Sequence, residues 1–496
     1  MRYGFAIDHR TCIGCHACTV ACKTEHEIPL GQFRTWVKYV DKGEYPETTR
    51  EFGVMRCNHC TDAPCIDICP TTSLFRREDG IVDFDSERCI GCKSCMQACP
   101  YDAIYIDETT HTAAKCNFCA HRIDSGLEPA CVVVCPTQSI WVGDLDDQDS
   151  GISRLVADHP VNVRAPEQRT GPNVFYLGAD HAVLDPLAAP VDDTYLWAQP
   201  DPQRLATAHD GYGEEATRTT LNTAHPRPWG WRVTTYLWAK GLGAGALALV
   251  ALGLIVGYDL GALGRFVAPA LALAGTAATG ALLVWDLKRP ARFLYLFLKP
   301  NPSSWLVWGG AILAAYAGLA GLWLLFGDLP ALRWPAIPLA VLTAGYTAFL
   351  FGQAEGRDLW QSPLLFWHLL AQAGMVGAGG LLTAAPFISV DRRAAGYLVT
   401  SFVVCTLAHL LFLALEYGLP RHGRHATKAA AAAVHIVVRG RYARTFWAGS
   451  VLPAGAAAGL ALSGPAGAAA AGLLAQAALL AYESVFVRAG QDIPLS

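Results

Sequence analysis

The sequence predicts two fold classes in one chain: a small α+β module organised by cysteines, followed by an all-α bundle of about eight membrane-spanning helices. Three observations predict it. Sixteen of the 17 cysteines fall between Cys12 and Cys135. From Val233 onward, apolar stretches long enough to cross a hydrocarbon core recur eight times. Composition also changes abruptly, with the charged residues gathered in the first half and Ala, Gly and Leu in the second, so the halves suit different solvents. At 496 residues the chain exceeds one ordinary soluble domain. A net charge of −4 carries no general basic footprint, which sets nucleic acid aside as a partner.

The cysteines form an internal repeat of four groups of four: Cys12, Cys15, Cys18 and Cys22; Cys57, Cys60, Cys65 and Cys69; Cys89, Cys92, Cys95 and Cys99; Cys116, Cys119, Cys131 and Cys135. The first and third have the C-x2-C-x2-C-x3-C run of bacterial ferredoxins, in which three close thiolates grip one cubane and the fourth reaches a neighbouring cluster. The second and fourth groups widen one gap and keep the ligand count. Pro70, Pro100 and Pro136 follow the last cysteine of their groups, where a fixed φ helps the chain turn away. Structural zinc prefers two C-x2-C pairs set apart around one tetrahedral ion, which three cysteines at this spacing crowd. The N-terminus, MRYGFAIDHRTCIGCHAC, has neither the apolar core of a signal peptide nor a twin arginine before Cys12. A cytoplasmic cysteine domain is therefore expected, where disulfides would be unusual. His16, His59 and His121 stand beside cysteines as candidates to tune a cluster.

The strings CIGCHACTVAC, CNHCTDAPCIDICP, CIGCKSCMQACPYDAI and CNFCAHRIDSGLEPACVVVCP resemble the electron-transfer subunits of dimethyl sulfoxide reductase, polysulfide reductase and related molybdopterin enzymes. The resemblance covers about residues 1–180 and implies an α+β ferredoxin-like double module of nested dicluster ferredoxins carrying four 4Fe–4S clusters. It implies crossed ligand sets: Cys12, Cys15 and Cys18 with Cys135; Cys116, Cys119 and Cys131 with Cys22; Cys57, Cys60 and Cys65 with Cys99; Cys89, Cys92 and Cys95 with Cys69. The expected domains are 1–184 for this module, 185–230 for a Pro-, Asp- and Thr-rich linker, and 231–490 for the membrane part.

The expected spans are 233–257, 265–285, 305–326, 335–354, 364–387, 395–417, 446–463 and 466–487, the seventh being short and interrupted by Pro453. Small-residue runs such as GLGAGALAL and AGMVGAGGLL let helices approach closely, a packing signal. With the N-terminus inside, the inner loops and tail hold twelve Lys and Arg against four outside, which orients the cysteine domain to the cytoplasm of a plasma (inner) membrane. Ionisable groups in or beside spans invite a functional reading. Lys240 is expected to snorkel to the inner interface and Asp286 to pair with Lys288 or Arg289. His409 and Glu416, seven residues apart, share a helix face, as a bundle-facing polar stripe or a proton path with Glu355 and Glu483. Cys405 reads as a small core residue.

The strings YLWAKGLGAGA, DLKRPARFLYLFLKPNPSSWLVWGG and YTAFLFGQAEGRDLWQSPLLFWHLL resemble NrfD-type membrane subunits of polysulfide reductase and its relatives over about residues 230–450. The resemblance implies a quinone (menaquinone or ubiquinone) bound near the side facing the iron–sulfur domain, without haem. By motif position it points to Tyr236, Lys240, Asp286, Arg289 and Tyr346. A haem anchor would need two facing histidines, for which His368, His409 and His435 are the candidates. There is no phosphate-binding loop or dinucleotide fingerprint. The expected role is thus an electron-transfer and membrane-anchor subunit whose terminal substrate is handled by a separate molybdopterin guanine dinucleotide subunit, so that this chain carries at most the quinone half-reaction. The alternative is an energy-coupling, proton-translocating quinone module.

Overall fold

The computed structural model describes residues 1–189, 195–196, 213, 216–224, 226–419 and 427–496. Twelve short strands run in chain order: β1 Tyr3–Asp8, β2 Thr35–Lys42, β3 Thr49–Arg56, β4 Leu74–Arg76, β5 Val82–Phe84, β6 Ile104–Ile106, β7 Ala113–Lys115, β8 Ile140–Asp144, β9 Val161–Asn162, β10 Val174–Leu177, β11 Tyr195–Leu196 and β12 Thr217–Thr223. The cysteine loops interrupt the chain every few residues, so strands stay short and pair as ribbons. β1, buried from Gly4 to Asp8, lies between antiparallel β8 and parallel β10. β2 and β3 form a hairpin from Thr35↔Arg56 to Lys42↔Thr49. The hairpins β4–β5 and β6–β7 sit between cysteine groups.

β12 pairs antiparallel with β2 and parallel with β11. The stretch 185–230, expected as a linker, therefore differs in its described part: Thr217, Thr219, Thr220 and Thr223 are β-branched and complete a sheet edge. Residues 190–194, 197–212, 214–215 and 225 of it lie outside the described residues.

Among the described residues eight helices are long and apolar enough to span a membrane: Trp231–Ile255, Leu263–Asp286, Trp305–Phe326, Pro330–Gln353, Leu365–Phe387, Arg392–Gly418, Ala443–Ser463 and Pro465–Asp492. They match the expected spans with ends displaced by a few residues. The second and seventh contain π-turns, at Leu263–Val267 and Trp447–Val451, just ahead of Pro269 and Pro453. A proline has no N–H to continue the ladder, and the wider turn absorbs the missing bond without ending the helix. Between spans six and seven lies the short helix Lys428–Val438, while residues 420–426 lie outside the described residues. Leu325, Phe326, Leu452 and Leu473 point outward and exposed, as lipid-facing side chains do. The first and fifth spans cross where the sequence is small: a Cβ on Gly245 would lie 1.8 Å from the Ala373 carbonyl oxygen, and one on Gly377 2.3 Å from the Gly245 backbone.

The two parts are locked together by polar contacts. Loop residues after the second span reach the cysteine module: Arg292 donates to the carbonyls of Ser86 and Cys89, and Asn301 to that of Cys69 at 2.7 Å. Arg357, buried after the fourth span, donates to Gln97 at 2.9 Å and to Asp102 at 3.4 Å. The end of the last span joins the same seam, with Gln97 donating to Gln491 at 2.7 Å, while Arg227 and Arg441 both pair with buried Asp492.

Candidate functional site

Each cysteine group begins with the same local device. The residue just before the second cysteine, Gly14, His59, Gly91 or Phe118, has φ between 44° and 69°. This left-handed turn aims its N–H back at the first cysteine: His59 N–H meets Cys57 Sγ at 3.5 Å and Gly91 N–H meets Cys89 Sγ at 3.4 Å, and Gly14 and Phe118 do the same to Cys12 and Cys116. Glycine adopts it freely, whereas His59 and Phe118 hold it against strain and are fully buried. More donors converge on the same sulfurs, with Ala113 N–H on Cys89 at 3.3 Å and Ser139 N–H on Cys135 at 3.3 Å. Such peptide nests favour anionic sulfur.

The tertiary fold then brings distant cysteines together. One cavity is lined by Cys12, Cys15, Cys18 and Cys135, another by Cys69, Cys89, Cys92 and Cys95. Cys22 feels the charges of Cys116, Cys119 and Cys131, and Cys65 those of Cys57, Cys60 and Cys99. Burial pushes the thiols of Cys60, Cys92, Cys99 and Cys116 up to about 12. As thiolates they therefore call for compensating positive charge, which iron supplies. Among the described residues no three His, Cys, Asp or Glu side chains converge tightly enough for a single ion. Four sulfurs spaced around a hollow, ringed by peptide N–H groups, are the donor set an iron–sulfur cluster takes.

The sets neighbour one another in succession. Cys18 neighbours Cys131, Cys116 neighbours Cys57, and Cys65 neighbours Cys95. The line starts at exposed Cys15, amid outward Ile13, Val20, Val133 and Val134. It ends at Cys92, which with Ile90 and Ser94 lines a largely apolar cavity shared with membrane helices through Trp229, Val233, Tyr236, Asp286, Leu306 and Tyr346.

Of the five residues tied to quinone by resemblance, Tyr236, Asp286 and Tyr346 line this cavity, and Lys240 and Arg289 do not. Lys240 does not snorkel to the interface. It is buried in the bundle, donating to the carbonyls of Ala344 at 2.6 Å and Thr343 at 3.3 Å and to Thr347 Oγ1 at 2.6 Å, with Nζ over the Tyr346 ring. Nearby carbonyls solvate the ammonium better than a distant headgroup could. Arg289 instead docks the module, donating to Thr110 O at 2.7 Å. Asp286 is not held by Lys288 or Arg289: it pairs with Lys93 of the cysteine module at 2.6 Å and with Arg232 at 3.6 Å.

None of the three histidines beside cysteines donates from its ring to sulfur. His16 bonds Tyr39, His121 bonds Glu25, and His59 Nδ1 accepts from Val82 N–H. His26, which no spacing singled out, has Nε2 3.2 Å from Cys119 Sγ. Likewise, His368 and His409 are hydrogen-bonded to each other at 2.8 Å, with Glu416 on the far side of His368 at 2.7 Å and Ser362 on Glu416 at 2.7 Å. His435 lies on the short helix Lys428–Val438, away from this pair in sequence and element. Glu483 is buried within the last span with Oε2 unpartnered, and Cys405 is partly buried.

Known proteins match both halves. A 4Fe-4S dicluster domain family matches residues 49–145, and the family "Polysulphide reductase, NrfD" matches residues 219–464. A tetrathionate reductase subunit of Salmonella typhimurium is 46% identical over 190 residues, 38% of this chain and 76% of that protein. A polysulfide reductase chain of Wolinella succinogenes is 40% identical over 179 residues, 36% of this chain and 94% of its own length. The arsenate respiratory reductase iron-sulfur subunit ArrB of a Shewanella species is 33% identical over 225 residues, 36% of this chain and 96% of its own length.

Proposed function

The protein belongs to the 4Fe–4S dicluster iron–sulfur subunits of the tetrathionate and polysulfide reductase kind, continued into a multi-pass NrfD membrane domain, and from that premise we propose that it relays electrons between a membrane quinone and a separate catalytic subunit through four 4Fe–4S clusters. The observation that carries the reading is the apolar cavity in which Cys92 and the membrane residues Tyr236 and Tyr346 face one another. A ligand of the last cluster and the wall of a lipid-accessible bundle share one space there. Bound clusters supply one-electron carriers. The protein's part is to hold them in line and to seat the quinone head group between the phenols of Tyr236 and Tyr346. Asp286, held by Lys93, stands at the cavity edge to exchange the quinone's protons with the polar cleft that Lys93, Asp286 and Lys288 also line. Lys240 acts from one shell away through the Tyr346 ring.

At the other end, the exposed apolar side chains around Cys15 form the docking face for the catalytic partner, a molybdopterin guanine dinucleotide subunit. The chain resides in the plasma membrane with the iron–sulfur domain in the cytoplasm, in keeping with the loop charge bias. The reading includes no haem; His368 and His409 hydrogen-bond each other through their ring nitrogens. The test is anaerobic purification of the full chain, iron and sulfide analysis, then addition of a menaquinol or ubiquinol analogue. Bleaching of the iron–sulfur absorbance by quinol, slowed in Tyr346→Leu, is expected. Clusters that respond to dithionite but to neither quinol would refute the relay.

The buried chain Ser362–Glu416–His368–His409 favours a second reading, in which quinone turnover also moves protons across the membrane. His409 Nε2 continues it without a partner among the described residues. In vesicles, His409→Leu would abolish an uncoupler-sensitive gradient while leaving quinol oxidation in place. Turnover without any gradient in the wild type would dismiss it.

A further inference from the structure

Arg56 ends β3, next to Cys57, and is 0% exposed. Its guanidinium carbon lies 4.3 Å from the centre of the Phe5 ring, and Nη1 donates to Cys131 Sγ at 3.4 Å. Nε and Nη2 are buried with no partner among the described residues. Among the described residues no carboxylate pairs with it. The charges that favour it there are those of sulfurs, Cys131, Cys116 and Cys18. An arginine cannot escape burial by losing its proton, and an unpaired buried cation is strongly destabilising. Two donor nitrogens left over, carrying three N–H groups between them, indicate that the missing acceptors are the clusters themselves. Lys115, another fully buried cation of the module, differs because Val82 O and Cys116 O accept from its ammonium.

The geometry points to Arg56 as an electrostatic positioning residue that raises the reduction potential of the cluster held by Cys22, Cys116, Cys119 and Cys131, and to a lesser degree that of the cluster held by Cys12, Cys15, Cys18 and Cys135. The fixed positive charge stabilises the extra electron each cluster accepts from quinol or another one-electron donor. The arginine itself neither gains nor loses a proton or an electron. It thereby keeps the second station of the line from becoming a barrier. This inference rests on the four-cluster reading of the cysteine sets.

The experiment is a potentiometric titration of the full chain followed by electron paramagnetic resonance, on the wild type, Arg56→Met and Arg56→Lys, with iron content measured for each. In R56M one midpoint falls far enough to cut the reduced-to-oxidised ratio at least tenfold at the wild-type midpoint, which is 59 mV for a one-electron couple. The cluster held by Cys69, Cys89, Cys92 and Cys95 does not move, and R56K restores most of the shift. R56M with full iron and four unchanged potentials overturns the inference. If R56M loses iron, retention by R56K still supports the need for charge, whereas loss from both overturns it. Failure of the four-cluster reading would be seen separately, as wild-type protein lacking about sixteen irons per chain.

Discussion

At Gly356 the membrane part closely touches the backbone of the cysteine module, and Gly356→Ala tests how the two are joined. A Cβ there would lie 2.6 Å from the Cys99 carbonyl oxygen, 2.8 Å from its carbon and 2.9 Å from the Gln97 oxygen. All three are backbone atoms, so no side chain can swing aside. Bringing 2.6 Å to an ordinary 3.4 Å contact requires a retreat of about 0.8 Å, an overpacking that costs about 1–3 kcal/mol. The next residue, Arg357, would move with it. Its bonds to Gln97 at 2.9 Å and Asp102 at 3.4 Å would stretch beyond hydrogen-bonding reach, and each bond to a charged group is worth about 1.5–3 kcal/mol. A combined loss of about 4–9 kcal/mol is therefore expected at the seam. Thermal inactivation of the full chain in detergent, read by iron–sulfur absorbance, should come several degrees earlier, and reduction by quinol should slow while iron content after purification stays near wild type. G356A matching the wild type in both heat resistance and quinol reduction would refute the seam as described.

Gly245→Ala pushes a methyl into the Ala373 carbonyl at 1.8 Å and should cost about 3 kcal/mol or more of bundle stability, read as earlier unfolding in detergent; an unaffected variant would mean that the first and fifth spans do not cross there. Lys93→Met leaves Asp286 without its closest partner in a largely buried seam, a loss of about 3–5 kcal/mol, and K93M with Asp286→Asn should recover part of it in a double-mutant cycle; strict additivity would deny the pair. Burial lowers the Lys38 pKa from 10.5 to about 7, with Arg164 adding to the effect, so folding carries a penalty that is full below pH 7 and fades as pH rises to 10.5. Lys38→Met should thus be more heat-stable than wild type at pH 7, with a gap that narrows by up to about 1.4 kcal/mol per pH unit above it; a pH-independent gap would count against this.

The local features were legible because their causes are local. A C-x2-C spacing places a left-handed residue before the second sulfur, and Gly14 and Gly91 announce it in the sequence, whereas His59 and Phe118 occupy the same conformation without announcing it. Runs of about 20 apolar residues can satisfy their backbone only as helices in a bilayer, so all eight spans could be read with ends off by a few residues. GLGAGALAL and AGMVGAGGLL signalled close packing, and the two strings turn out to pack on each other through Gly245 and Gly377.

What the sequence determined by itself is the four groups of four cysteines, the membrane spans, and an iron–sulfur module joined to a helical bundle. These follow from spacing and hydropathy, which act over a few residues. The tertiary structure alone decided which partners lie far apart along the chain. It sets Lys93 on Asp286, joins His368, His409 and Glu416 from two helices into one chain, and seats Arg56 between the Phe5 ring and the Cys131 sulfur. It also turned Lys240 and Arg289 away from the cavity that Tyr236, Asp286 and Tyr346 share. A buried charge goes wherever the folded chain offers the best solvation, and no periodicity records which distant segment that will be.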